Sequence, residues 1–200
     1  VYSGMKACIE KAFGTTDFTD IRISIQGLGH VGYALASELS GAGCKIYGAD
    51  IDKSKCDRAR RDLNIEIVDH EKIYDLEVDI FSPCALGRII NEDTIDRLNC
   101  KVIGGAANNQ LKNSSFAAAL QERGIIYAPD FIIGAGGLIN VCNEIEGSDQ
   151  SKSIADASKI YDKMHKIIEI SKEEGTTTLD AAMVMARQRL DRVKRLRGLI

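Results

Sequence analysis

Short apolar runs alternate along the chain with stretches in which apolar residues recur every three or four positions. The runs that predict strands are 21–26, 45–50, 65–68, 78–83, 101–105 and 124–129. Helical spacing follows residue 27 and recurs at 53–63, 91–98 and 113–123. Near-continuous apolar strands separated by helices are typical of a parallel sheet covered on both faces. With right-handed crossovers, the pattern predicts an α/β fold, a Rossmann-type doubly wound parallel sheet.

The pattern changes after Gly147, where no further strand is predicted. Apolar residues at spacings of three and four predict one amphipathic helix over 154–174, with a face formed by Ile154, Ala157, Tyr161, Met164 and Ile168. Gly175 ends that helix, and Thr177 with Asp180 provides a cap for a final one. We therefore divide the chain into a nucleotide-binding domain, 1–147, and a C-terminal helical appendage, 148–200, that packs on it or on a neighbouring domain.

Composition excludes several classes of protein. A hydrophobic fraction of 44% and a charged fraction of 28% describe an ordinary globular chain. The formal net charge of −3 argues against nucleic-acid binding by bulk electrostatics. The basic run from Arg187 to Arg197 is open to that interpretation, but it better suits a solvated helix face whose cations favour the helix C-terminus.

Location and metal content follow from the same inspection. No apolar run is long enough to cross a bilayer and no signal peptide is visible, so we expect a cytoplasmic protein without membrane contact. The six cysteines form no Cys-x-x-Cys pair, which favours reduced thiols and no metal site.

The most specific local signal is a glycine motif between the first predicted strand and the helix after it. Gly27, Gly29 and Gly32 form Gly-x-Gly-x-x-Gly. The first glycine permits a tight turn, the second lets a pyrophosphate approach the backbone, and the third lets helix and strand pack closely. Free amides from Leu28 through His30 to Val31 would then hold the phosphates at the helix N-terminus.

An acidic residue completes the dinucleotide signature. Asp50 ends the second predicted strand, 23 positions after Gly27, with Ile51 beside it. A carboxylate there can accept both ribose hydroxyls of adenosine and would repel the 2′-phosphate of NADP. The signature therefore predicts NAD as the cofactor, although nearby basic residues keep NADP open; these are Lys53, Lys55 and Arg58.

A second glycine-rich stretch, PDFIIGAGGLIN at 129–140, superficially repeats the motif. Pro129 interrupts its strand, Ile139 stands where a third glycine should be, and no strand ending in an acid follows. We interpret its glycines as a place where the backbone passes close to a cofactor held by the first motif, so that it forms the far wall of a single cleft.

Several segments together resemble the amino-acid dehydrogenases for glutamate, leucine, phenylalanine and valine, and most closely the leucine-type members. The segments are VYSGMKACIEKAFG, GLGHVG, GADID, DIFSPCALGRIINEDTI, KVIGGAANNQL and YAPDFIIGAGGLINV. The resemblance implies the reversible oxidative deamination of a branched-chain L-amino acid to its 2-oxo acid, with hydride transfer to NAD, in a homo-oligomer.

The resemblance also implies roles for individual residues. Cys84 and Ala85, after the fourth predicted strand, would form a wall near the cofactor, or else a simple strand-end turn. The nicotinamide ribose and carboxamide would be held by Ala107, Asn108 and Asn109, since an Asn amide both donates and accepts, although an Asn-rich helix cap remains an alternative.

Leu138 and Val141 lie three apart, on one helical face. By resemblance they would line the pocket for the substrate side chain, and the alternative is that they belong to the core.

Two features depart from the family pattern. The family carries its catalytic lysines and aspartate on a preceding domain, and this sequence contains no such motif. We therefore assign no catalytic residue and expect the chain alone to bind NAD without catalysis. Gly134 also stands where the family usually has Asn. Both departures would fit an alternative function, a non-enzymatic NAD-binding module that senses redox state.

Overall fold

The computed structural model describes residues 1–196. Six strands form one sheet: β1 Arg22–Gln26, β2 Lys45–Ala49, β3 Glu66–Ile67, β4 Ile80–Pro83, β5 Val102–Ile103 and β6 Ile126–Tyr127. Every pairing is parallel, in the order β3-β2-β1-β4-β5-β6. The chain reverses its direction of travel across the sheet between β3 and β4, which creates a crevice at the carboxyl ends of β1 and β4. The predicted doubly wound α/β fold is confirmed.

Helices cover both faces of the sheet. They are α1 Tyr2–Phe13, α2 His30–Gly41, α3 Lys53–Leu63, α4 Ser115–Glu122, α5 Asp130–Ile133, α6 Gly136–Ile145, α7 Gln150–Ser158, α8 Ile160–Glu174 and α9 Thr178–Leu196. One apolar cluster lies between the sheet and α1, α2 and α8, and includes Met5, Ile23, Leu39 and Met164. A second cluster fills the other face and includes Ile73, Phe81, Ile103 and Leu120.

The helix predicted over 91–98 is wrong. Only a 3₁₀ turn, Ile95–Arg97, forms there. The Asn91 side chain accepts the Asp93 N–H at 2.9 Å and donates to the Arg88 carbonyl at 2.9 Å. Such local side-chain bonds give the backbone an alternative to the helical ladder.

The single helix predicted over 154–174 is two helices, separated at Lys159. Asp149 caps α7 by accepting the Lys152 N–H at 3.0 Å, and α8 starts at Ile160. Ile154 is therefore exposed, whereas Met164 and Ile168 lie in the core beside α1. Three of the helices that follow β6, namely α5, α8 and α9, thus share the core of the sheet domain, and the boundary at residue 147 stays a prediction.

The final helix begins as predicted. The Asp180 N–H donates to Thr177 Oγ1 at 3.0 Å, and the Thr177 hydroxyl donates to Asp180 Oδ2 at 2.6 Å. From Arg187 to Arg195 the side chains of α9 are exposed, and Arg197 lies outside the described residues. Within residues 1–196, no helix combines the length and apolar character that a membrane span requires.

Candidate dinucleotide site

The three glycines of the first motif have different environments. Gly27 has a φ of 99°, and a Cβ there would lie 2.7 Å from the Ala85 Cβ. A Cβ on Gly32 would lie 1.9 Å from the Gly27 carbonyl oxygen. A Cβ on Gly29, by contrast, would meet no atom within 4 Å. Two glycines are therefore required by packing, and the middle one leaves open space in front of the backbone.

Backbone amides face that open space at the start of α2. The helix has no side-chain cap. Four amides lack an acceptor within residues 1–196, those of Gly29, His30, Val31 and Gly32. Unpaired amides at a helix N-terminus are suited to bind an anion, because the helix dipole adds a partial positive charge.

Leu28 does not belong to this set, and the prediction that its amide is free is wrong. The Leu28 N–H donates to Asp50 Oδ2 at 2.8 Å, and the Leu28 side chain is buried. The carboxylate at the end of β2 satisfies this amide because β2 pairs with β1 in parallel register, which brings the two strand ends together.

Asp50 therefore has a structural role that sequence reasoning missed. Its other oxygen, Oδ1, accepts the Asp52 N–H at 2.9 Å, and the Lys55 ammonium lies 3.8 Å away. The side chain is only 9% exposed. A carboxylate oxygen can accept more than one hydrogen bond, so ribose hydroxyls can still bind. Asp50 both ties the glycine turn to the start of α3 and offers acceptors to a ribose.

The basic residues near Asp50 are partly engaged elsewhere. The Arg58 guanidinium stacks 3.9 Å from the centre of the Tyr33 ring, and its Nε lies 3.7 Å from Asp62 Oδ2. Lys55 is 3.8 Å from Asp50 and 3.9 Å from Asp52. These contacts direct both cations towards protein carboxylates or an aromatic ring.

Cys84 and Ala85 lie directly against the glycine turn. The Cys84 N–H donates to the Gln26 carbonyl at 2.7 Å, and a Cβ on Gly32 would lie 3.2 Å from the Cys84 Cβ. Burial raises the pKa of the Cys84 thiol. This thiol is therefore a protonated, apolar part of the floor of the turn at neutral pH.

The loop after β5 carries the predicted nicotinamide residues. Ala107 is buried, and its N–H donates to the Pro83 carbonyl at 2.9 Å. Asn108 and Asn109 are exposed, and Asn109 has a left-handed φ of 53°. The Arg88 N–H donates to the Asn109 carbonyl at 2.6 Å. The Asn side chains thus stand at the same carboxyl edge of the sheet as the glycine turn.

The second glycine-rich stretch is helical on both sides. Pro129 precedes α5, and Gly134 and Ala135 separate it from α6. A short helix thus separates β6 from these glycines, so the stretch does not form a second strand–turn–helix nucleotide motif.

Leu138 and Val141 lie on the exposed face of α6. Their exposures are 69% and 50%, so the alternative that they belong to the core is wrong. Ile145, at the end of the same helix, and Ile154, on α7, are exposed as well. Apolar side chains in that setting are available to contact a ligand or a neighbouring domain.

Two residues near the predicted site were not found from the sequence. They are Gln110, which is buried, and Asp130, which is half-buried. Gln110 is fully buried behind Asn109, and its N–H donates to Asp130 Oδ2 at 3.3 Å. The only sequence signal was position, since Asp130 directly follows the predicted strand 124–129 and Gln110 lies in the segment after the predicted strand 101–105. Within residues 1–196 no cluster of His, Cys, Asp and Glu suits a metal ion. A groove of about 480 Å³ between α1 and α8 is lined by none of the predicted site residues.

Comparison with known proteins gives the family. The sequence profile of the Glutamate/Leucine/Phenylalanine/Valine dehydrogenases matches residues 49–198. The leucine dehydrogenase of Thermoactinomyces intermedius is 45% identical over 99% of this chain and 54% of its own length. The L-tryptophan dehydrogenase of Nostoc punctiforme is 42% identical over 98% of this chain and 56% of its own length.

The crystal structure of the L-tryptophan dehydrogenase from Nostoc punctiforme superposes with a TM-score of 0.94 at 41% identity, and covers 97% of this chain and 60% of that one. The chain spans about half the length of the curated relatives it matches. It belongs to the Glutamate/Leucine/Phenylalanine/Valine dehydrogenase family and contains the dinucleotide-binding domain of such an enzyme.

Proposed function

We propose that the chain binds NAD along the carboxyl edge of its sheet, and that the complete protein uses it to deaminate a branched-chain L-amino acid such as leucine. The observation that carries the proposal is the environment of Gly29. Space is open beside it, four unpaired amides follow from it, and the glycines on either side are closed by packing. This combination suits a pyrophosphate and has no other evident purpose in the fold.

The preference for NAD over NADP rests on Asp50. Its carboxylate is fixed by two backbone amides at the end of β2, so its negative charge cannot swing away from an incoming 2′-phosphate. Of the three cations that could attract that phosphate, Lys55 and Arg58 already contact protein groups, and Lys53 is exposed. Ile51, exposed beside Asp50, offers apolar surface to the adenine.

The nicotinamide half would lie over the loop that holds Asn108 and Asn109, with Cys84 and Ala85 lining the path from the glycine turn. When bound, NAD accepts a hydride from the substrate carbon. The task of this chain is to hold the ring, because a hydride passes only between closely placed and aligned atoms. The groups that would move protons are not among these residues, so we expect the chain alone to be inactive.

The proposed substrate rests on Leu138 and Val141. The relatives reported above include enzymes for leucine and for tryptophan, so overall identity does not choose between them. A Leu and a Val facing solvent on one side of α6 favour a branched aliphatic side chain, because an apolar pocket gains free energy from each buried methylene. Assembly into a homo-oligomer, a cytoplasmic location and the lack of a nucleic-acid partner remain predictions.

The relatives reported above are dehydrogenases, and they do not support the redox-sensing alternative.

A serine at position 29 tests cofactor binding. Serine is a favourable N-cap, so Gly29→Ser should raise the free energy of unfolding by a few tenths of a kcal/mol. The same side chain would occupy the pyrophosphate path and compete for its amides. We expect calorimetric titration to give an NADH affinity at least about tenfold weaker, a loss of about 1.4 kcal/mol.

Gly41→Ser is the matched control, since Gly41 is at the other end of α2 and a Cβ there also meets no atom within 4 Å. Wild-type chain should bind NADH more tightly than NADPH. Unchanged NADH affinity in Gly29→Ser would refute the assignment of the pyrophosphate site.

The substrate is tested on the complete protein, assayed for NADH formation with leucine, valine, phenylalanine, tryptophan and glutamate. We expect Leu138→Ala to raise KM for leucine at least about tenfold, because Leu has three more side-chain carbons than Ala and each buried methylene contributes about 0.8 kcal/mol. Ile154→Ala is the control, because it removes an equally exposed apolar side chain from α7. Turnover with glutamate alone would exclude an apolar pocket.

A further inference from the structure

The loops at the carboxyl edge of the sheet are joined by backbone hydrogen bonds. The Arg88 N–H donates to the Asn109 carbonyl at 2.6 Å, and the Ile90 N–H donates to the Gln110 carbonyl at 3.0 Å. The Lys112 N–H returns to the Ile90 carbonyl at 2.9 Å. Residues 88–90 of the loop after β4 and the loop after β5 are therefore one hydrogen-bonded unit, and whatever fixes the second loop also fixes residues 88–90.

The side chain of Gln110 determines the shape of the loop after β5. It is fully buried, and its Nε2 donates to two carbonyls of its own loop, Gly105 at 3.0 Å and Ala107 at 2.9 Å. Its Oε1 is buried and has no hydrogen-bond partner within the described part of the chain. A buried amide oxygen left unpaired is unfavourable, so stability alone does not account for glutamine at this position.

Asp130 joins this loop to the second glycine-rich stretch. Its Oδ2 accepts the Gln110 N–H at 3.3 Å, and its Oδ1 accepts the Phe131 N–H at 2.8 Å. Its carbonyl accepts the Gly134 N–H at 2.8 Å. Asp130 is the first residue of α5, and the chain runs from there through Gly134 to α6. One carboxylate thus links the Asn108–Asn109 loop to the segment that leads to Leu138.

We propose that Gln110 and Asp130 are positioning residues, which hold the nicotinamide loop at a fixed place relative to the start of α5 and the stretch towards α6. This inference rests on the proposed function. None of their hydrogen bonds reaches Gly27–Gly32 or Asp50. Their removal should therefore weaken contacts to the nicotinamide half of the cofactor and leave those to the adenosine and pyrophosphate unchanged.

Two ligands separate these halves. NADH carries both, whereas ADP-ribose has the adenosine and pyrophosphate but no nicotinamide. In Gln110→Met, which keeps the volume but loses both donated bonds, we expect NADH affinity to fall about tenfold and ADP-ribose affinity to change less than about twofold. The fluorescence of bound NADH, which reports on the nicotinamide ring, should shift towards that of free NADH.

Asp130 gives a graded and independent test. Asp130→Asn keeps one acceptor oxygen for two N–H donors, so its loss of NADH affinity should lie between those of the wild type and Asp130→Ala. If Gln110→Met does not fold, the Asp130 variants alone decide the inference, because the Asp130 side chain is only half-buried. Gln121→Met is the matched control, since Gln121 Nε2 donates to a backbone carbonyl, that of Thr176, at 3.0 Å.

The outcomes separate the two proposals. Wild-type chain that binds neither ligand contradicts the proposed function and this inference with it. Wild-type chain that binds both, with variants that lose affinity for both equally, gives Gln110 and Asp130 a general structural role and overturns the inference alone. Variants that retain full NADH affinity overturn it as well.

Discussion

The chain contains two glycine-rich segments that look alike in sequence and differ in their surroundings. In the first, Gly27–Gly32, a Cβ on either outer glycine would overlap neighbouring atoms at 1.9–2.7 Å. In the second, Gly134–Gly137, Gly136 and Gly137 have no atom within 4 Å of a Cβ, and Gly134 meets only the Asp130 carbonyl of its own turn at 2.8 Å. Packing therefore requires glycine at both outer positions of the first segment, whereas in the second segment Gly136 and Gly137 have room for a side chain.

The location of each segment explains the difference. The first lies where β1 enters α2, and the chain leaving β4 at Cys84 and Ala85 passes against it. The second separates α5 from α6, and there a Cβ on Gly136 or Gly137 would meet no atom within 4 Å. The number of glycines alone therefore does not identify a nucleotide turn. What distinguishes the first segment is the chain leaving β4, which packs against it.

The largest expected effect is on stability, in Gly32→Ala. Its Cβ would lie 1.9 Å from the Gly27 carbonyl oxygen, so the turn must move, and we expect unfolding in urea to report a loss of about 3 kcal/mol. The counterpart in the second segment, Gly137→Ala, should change stability by less than about 1 kcal/mol, because alanine favours a helix. Equal losses in the two variants would contradict the comparison.

Asp50→Ala should cause the second-largest loss of stability. It leaves the Leu28 and Asp52 amides unpaired, so we expect a loss of about 2 kcal/mol in the free energy of unfolding together with weaker NADH binding. Asp50→Asn keeps one acceptor oxygen and should lose about half as much.

Asp52→Ala is the control for Asp50. It removes the cap of α3, where Asp52 accepts the Ser54 N–H at 2.9 Å, without touching the glycine turn. An Asp50→Ala chain of wild-type stability would show that Asp50 does not anchor the turn.

Gly134→Asn should have a smaller effect on the fold. The φ of −87° at Gly134 suits any residue, but a Cβ would lie 2.8 Å from the Asp130 carbonyl oxygen, so this turn of backbone must shift and we expect a loss of about 1 kcal/mol. The added amide should raise NADH affinity up to about tenfold, the contribution of one hydrogen bond. Gly136→Asn is the control, and an equal gain there would show that the position of the amide does not matter.

The smallest perturbation is chemical labelling, which should leave the fold unchanged. Cys142 is exposed on α6, after the second segment, whereas Cys84 lies against the first with its pKa raised by burial. Burial also raises the pKa of Cys44 to about 12. A raised pKa leaves less thiolate at pH 8, so Ellman's reagent should find one fast thiol among six, absent in Cys142→Ser. Fast labelling of Cys84, identified by its loss in Cys84→Ser, would indicate that the first turn opens.

The errors of sequence reasoning have a common physical origin. Residues 91–98 have helical spacing, but the Asn91 side chain bonds locally to the backbone and leaves only a 3₁₀ turn. In residues 154–174 the helical spacing of apolar residues continues without a break through Lys159. The chain nevertheless forms two helices there, α7 before Lys159 and α8 after it, and they bury different faces. In both cases the apolar spacing was identified correctly, but a hydrogen bond or a packing partner determined a different local structure.

The sequence by itself determined the order of the six strands, the Gly-x-Gly-x-x-Gly turn and the acid that follows it. These features depend on local sterics and on the burial of short apolar runs, both of which are properties of neighbouring residues. The resemblance to a known family also came from sequence alone, and the comparisons confirmed it.

Only the tertiary structure decided which polar groups pair and which apolar side chains stay exposed. Asp50 accepts the Leu28 N–H, and Gln110 donates to a carbonyl of its own loop and to Asp130. Leu138 and Val141 lie outside the core. The Leu28–Asp50 and Gln110–Asp130 hydrogen bonds each join residues about 20 positions apart, because parallel crossovers bring successive strand ends to one edge of the sheet. A hydrogen bond depends on distances of about 3 Å, and no one-dimensional pattern specifies distances across a crossover.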